Sequence, residues 1–145
     1  MNNNKIFLVY PTLIKPGLSV TPYVTPDPIL AVNTFPTKCA LYVTAVFTFS
    51  AGSKLTTEID IQFNGVSVLA ESDNALNTME NFMFTHLDSS RMLGARFYIQ
   101  NVSIEKPGNY EVFFRLYETN GDTLGPLVEE KTCAFVAIER TGAAN

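Results

Sequence analysis

The segment from Leu55 to Leu69 leaves the backbone little choice. Leu55, Thr57, Ile59, Ile61 and Phe63 form one mainly apolar parity, and Thr56, Glu58, Asp60 and Gln62 form a polar one. A period of two sends successive side chains to opposite faces, so Leu55–Phe63 is a strand with one face on a core and the other in water. Asn64-Gly65 follows at once. A two-residue type I′ turn needs positive φ at both central positions, which Asn and Gly tolerate, so Val66–Leu69 is expected to return as the second strand of a hairpin.

The same rhythm recurs along the chain. Lys38–Ser50 places Leu41, Val43, Ala45, Phe47 and Phe49 on one parity. Arg96–Val102, Asn109–Tyr117 and Lys131–Ile138 read as further strands. Within Asn109–Tyr117, the inward set is Tyr110, Val112, Phe114 and Leu116; Glu111, Phe113, Arg115 and Tyr117 point the other way. Six of the eight prolines lie between Pro11 and Pro36. Proline cannot donate to a ladder, so Lys5–Tyr10 is expected as a first strand, Gly17–Val24 as at most an edge strand, and residues 25–37 as a surface connection. Glu71–Arg91 predicts a loop or helical turn to about Asn77, then a strand in which Phe82 and Phe84 alternate. About eight or nine short strands without a long helix predict an all-β domain, a sandwich or barrel.

A chain of 145 residues is expected to form a single domain, residues 1–145, with a core large enough to fold without a metal or disulfide. Its parts would be a proline-rich first strand and connection (1–37), the sandwich core (38–138) and a polar tail (139–145). The net charge of −4 argues against broad electrostatic binding to nucleic acid or an anionic membrane. No apolar run approaches the ~20 residues of a membrane-spanning helix, and the N-terminal run is interrupted at Pro11 with no cleavage-like site after it. A cytoplasmic or virion-associated setting is therefore expected.

The spacing of Phe97, Ile99, Val102, Gly108, Tyr110 and Val112 resembles the E strand, E–F corner and F strand of an immunoglobulin-like sandwich, with Tyr110 at the position of a tyrosine corner. The resemblance runs from about Lys38 to Ile138. It implies a single antiparallel sandwich in which Lys38–Ser50, Leu55–Phe63 and Val66–Leu69 correspond to strands B, C and C′, and Arg96–Val102, Asn109–Tyr117 and Lys131–Ile138 to E, F and G. The chain departs from the antibody-type pattern: Val112 stands where the F-strand cysteine is usual, strand C has no Trp, and Lys106 replaces the Asp before the corner. Phe63 or Ile61 is expected to fill the volume of the missing Trp. Divergent domains of this kind occur among bacterial and phage proteins, adhesins and virion parts, but the fold alone names no function.

Residues that carry chemistry are few. His86, the only histidine, lies near Asp88, Ser89 and Ser90. No nucleophile elbow or glycine-rich oxyanion loop accompanies them, and HLDSSR reads as a polar loop. Cys39 and Cys133 lack a CxxC arrangement and are expected to be buried free thiols. Asn120, Asp122 and Thr123 fall short of a calcium loop and read as a turn. No catalytic residue, metal or cofactor is therefore assigned.

The outward aromatics of Asn109–Tyr117 stand apart. Phe113, Arg115 and Tyr117 have the composition of an interface hot spot, and Asn120–Pro126, with Asn120, Asp122 and Leu124, is expected as a loop beside them. The expectation is a non-enzymatic module that binds another protein or itself through these residues. A small-ligand or carbohydrate module using exposed aromatics is the alternative. Arg96, Tyr98 and Gln100 would form a separate patch on the other sheet, with the N-terminal segment covering one of the two faces.

Overall fold

A computed structural model of the chain describes residues 4–15, 24–69, 78–87, 89–120 and 123–140. Among these residues the fold is all-β, with nine strands: β1 (Lys5–Leu13), β2 (Ile29–Val32), β3 (Thr37–Ser50), β4 (Leu55–Phe63), β5 (Val66–Ser67), β6 (Thr78–Leu87), β7 (Ser90–Ile104), β8 (Gly108–Asn120) and β9 (Thr123–Glu139). They form two sheets, β1-β3-β7-β6 and β2-β9-β8-β4-β5.

The inner faces carry the parities expected from the sequence. Leu41, Val43, Ala45 and Phe47 of β3 and Ala95, Phe97 and Ile99 of β7 meet Tyr110, Val112, Phe114 and Leu116 of β8, all buried in one apolar cluster with Ile61 of β4. Phe114 is the hub between the sheets, its ring 5.8 Å from Phe47 and 5.5 Å from Phe97. Such aromatic pairs each add about 0.5–1.5 kcal/mol beyond the area they bury.

At the opposite end from Phe47, Tyr110 is fully buried and lies between Phe63, 4.6 Å away, and Phe135, 5.3 Å away and nearly parallel. The Tyr110 hydroxyl donates to the Lys106 carbonyl at 2.7 Å and accepts from the Lys106 N–H at 3.5 Å, pinning the β7–β8 turn to the start of β8. Gly108 makes the close packing possible. Its φ is +141°, and a Cβ there would lie 2.9 Å from the Phe63 ring.

The β4–β5 hairpin turns at Asn64 and Gly65, with φ of 51° and 81°, as a type I′ turn requires. Its return strand is shorter than expected, ending at Ser67. Past that point the chain leans between the sheets, with the Val68 N–H on the Ile61 carbonyl and the Ser103 N–H on that of Val68.

Other expectations are corrected. Residues 25–37 are not only a connection, because β2 pairs in parallel with the end of β9, Ile29 opposite Val136. β1 runs through Pro11, which an edge strand can accommodate. The expected edge strand at Gly17–Val24 lies almost wholly outside the described residues, as does the start of Glu71–Arg91; the strand expected after Asn77 is β6. His86 belongs to β6 by register, opposite Arg91 of β7, and Leu87 pairs with Ser90, so the strands reach further into HLDSSR than expected; Asp88 lies outside the described residues.

The N-terminal segment does reach the outer surface of the four-stranded sheet. The Tyr10 hydroxyl donates to the Val24 carbonyl, the Thr12 hydroxyl donates to the Thr25 carbonyl, and the Val24 side chain is buried. On that surface Arg96 is buried with its guanidinium 5.0 Å from the Tyr42 ring centre, and Tyr42 packs on Tyr98. Of the expected patch, Arg96 is therefore buried, while Tyr98 and Gln100 are half-buried.

A candidate interaction face on the outer side of the five-stranded sheet

β8 is the middle strand of the β9-β8-β4 ladder, and its outward residues form the axis of the exposed face. Asp60 and Thr132 flank Phe113, Glu58 and Glu130 flank Arg115, and Thr56 and Leu127 flank Tyr117. The sequence reading of Phe113, Arg115 and Tyr117 as one outward set agrees with this register. All three are half-buried by their neighbours and not fully exposed.

Arg115 organises the centre. Its Nε donates to Glu130 at 2.6 Å and its Nη1 to Glu58 at 2.9 Å, so one guanidinium bridges both adjacent strands. Those two hydrogen bonds, Glu130 first, hold the Arg115 pKa above its ordinary value. The guanidinium carbon also lies 5.1 Å from the Phe113 ring centre, a cation–π distance. The Tyr117 hydroxyl donates to the same Glu58 oxygen at 3.2 Å, and partial burial, then Glu58, raises the Tyr117 pKa. Asp60 is held in turn by Ser67 and Gln62. The result is a side-chain-locked surface with two aromatic plates and a fixed central cation.

The face is acidic in sum. Among the described residues Glu58, Asp60, Glu111 and Glu130 share it by register, against Arg115 alone. Sequence reasoning did not single out these carboxylates. They come from strands far apart in the chain, and only the pairing register brings them together.

The loop expected at Asn120–Pro126 is corrected. β8 and β9 stay paired to the hairpin end, Thr119 opposite Leu124 and Asn120 opposite Thr123, with irregularities around Tyr117 that absorb Gly125 and Pro126. Gly125 lies so close to the other strand that a Cβ would sit 2.8 Å from the Glu118 carbonyl oxygen. Leu124 is 56% exposed. Asp122 lies outside the described residues, as does the Asn120 side chain.

Two concavities among the described residues are lined by side chains other than the Phe113, Arg115 and Tyr117 row. A cleft of about 280 Å³ opens between the sheets, lined by Phe47, Phe49, Leu55, Leu93 and the hydroxyl residues Ser53, Thr56 and Thr57. A shallower hollow lies beside the β4–β5 hairpin. Among the described residues no cluster of His, Cys, Asp and Glu is arranged to hold a metal. Cys39 and Cys133 are free and half-buried, and burial pushes both thiols up to about 12. No family model matches the chain, and no curated protein matches it.

Proposed function

We propose that the chain is a non-enzymatic, immunoglobulin-like protein-binding module whose contact surface is the outer face of β4, β8 and β9. The strand orders support the architectural part. Read as A-B-E-D and A′-G-F-C-C′, they follow the immunoglobulin arrangement, with β2 as an A′ strand parallel to G, and Tyr110 bonds back to its corner. The observation that carries the functional part is the preorganised Phe113–Arg115–Tyr117 row. Rigid aromatic and Arg side chains lose little freedom on contact, which is why such residues dominate interface energies.

The charge selects the kind of partner. Two copies meeting through this face would bring its carboxylates together, and like-charge contact opposes association. A different protein presenting basic groups around an apolar centre fits better. Phe113→Ala and Tyr117→Ala are expected to weaken capture of that partner at least tenfold while leaving the melting temperature of the free domain nearly unchanged. Unchanged capture by both variants would reject the face.

The cleft beside Phe47 and Phe49 is the one observation that favours a ligand-binding reading. Its apolar lining suits a small aromatic molecule better than a sugar. None of the side chains of the fixed Arg115 network lines it, so protein binding stands as the main reading.

A further inference from the structure

We propose that β6 is a self-pairing edge through which two copies of this chain join their four-stranded sheets into one. A sheet edge presents unpaired backbone groups to any other strand, and proteins ordinarily blunt such edges by shortness, Pro or charge. Nearly every edge stretch here is blunted in one of these ways. β1 carries Lys5 and Pro11, with backbone bonds to Asp27 and the Ile6 N–H capped by the Glu129 carboxylate. β2 has four residues and follows Pro28, and β5 has two. The part of β4 beyond β5 carries Glu58 and Asp60. The part of β9 beyond β2 carries Pro126 and Glu129-Glu130-Lys131.

β6 differs. Among the described residues it pairs only with β7, and its second half, Met83–Leu87, contains neither Pro nor an acidic residue, Lys or Arg. A bulge between Asn81 and Met83 ends the regular run on one side, and the turn after Leu87 ends it on the other. Five residues remain with an undisturbed ladder. Phe84 is 54% exposed and Thr85 is also exposed.

That run is complementary to itself. Antiparallel pairing about a two-fold axis at Thr85 sets Met83 opposite Leu87, Phe84 opposite His86, and Thr85 opposite its own copy. Every pair lies on matching faces, because the positions two apart share a side of the strand. In residue type this register sets Met against Leu, Phe against His and Thr against Thr, kinds of cross-strand neighbour that favour pairing. The partner's turn falls opposite the bulge, where the ladder ends in any case. Such an isologous contact closes on itself and stops at a dimer. Five paired residues make a small interface, so the dimer is weak and concentration-dependent. It leaves the β4-β8-β9 face open for the different partner proposed above.

Substitutions at Thr85 test the axis, because its exposed side chain can change without disturbing the core. Wild-type protein is expected to show a mass by light scattering that rises with concentration from monomer to dimer. Thr85→Asp alone and Thr85→Lys alone place like charges on the axis and are expected to stay monomeric. An equimolar mixture of the two regains the dimer. Thr85→Cys is expected to form a disulfide-linked dimer under mild oxidant, since directly opposed residues of an antiparallel pair have Cα atoms about 4.5–5.5 Å apart. A monomeric wild type at all concentrations, a Thr85→Asp protein that still dimerises, or a mixture that stays monomeric would each overturn the proposal. Tyr117→Ala leaves the dimer intact, so failure here and failure of the β8 face are read separately.

Discussion

At Tyr110 two demands meet in one side chain. Its ring fills the space between Phe63 and Phe135, and its hydroxyl holds the Lys106 carbonyl. Tyr110→Phe keeps the stacking and removes the donor. It is expected to lower stability by about 1 kcal/mol, seen as a shift in denaturant midpoint at constant m-value. Gly108→Ala is expected to cost more, because it forces both an unfavourable φ and a contact with Phe63.

The cysteines supply the pH dependence at this scale. Their folded pKa values, about 12, stand above the ordinary 9.0 because burial disfavours the thiolate. Below pH 9 both states keep the protons and stability is unaffected. Above it the unfolded chain loses protons that the folded chain retains, so stability falls as pH rises from about 9 towards 12. The Cys39→Ala/Cys133→Ala protein is expected to show a shallower fall in that window by chemical denaturation. An unchanged slope would assign the effect to other groups.

Elements made of alternating residues were legible in the sequence, and those defined by distant partners were not. The parity of Leu55–Phe63 and Asn109–Tyr117 and the Asn64-Gly65 turn survive because each is a local constraint. β2 escaped because four residues among prolines show no period, and what makes them a strand is the far end of β9. The first half of β9 escaped because Gly125 and Pro126 signal a loop, while bulges let the ladder accept them. In the candidate face, the outward row was readable by parity. The bridge from Arg115 to Glu58, 57 residues away, was not, because it depends on register between strands. Arg115→Ala leaves Glu58 and Glu130 facing each other across β8 and is expected to lower stability by about 1 kcal/mol or less, since the pairs are solvent-exposed. A calorimetric change well beyond that would mean the network also supports the core.

The whole molecule is a sandwich held by packed Phe, Tyr and aliphatic side chains, with no disulfide between its cysteines. Its two outer surfaces differ in kind. The four-stranded sheet is partly covered by the chain around Val24 and Thr25, and Arg96 is interior there. The five-stranded sheet presents a locked aromatic row in an acidic surround. No helix among the described residues is long and apolar enough to cross a membrane. The decisive question is whether the β4-β8-β9 face is where another protein sits. Side-chain oxidative footprinting of the domain, free and in complex with a partner recovered from its host, addresses this directly. Labelling of Phe113 and Tyr117 is expected to fall severalfold in the complex, while Val66 at the β4–β5 hairpin keeps its reactivity. Full labelling of Phe113 and Tyr117 in the bound state, with protection elsewhere, would contradict that reading of the face.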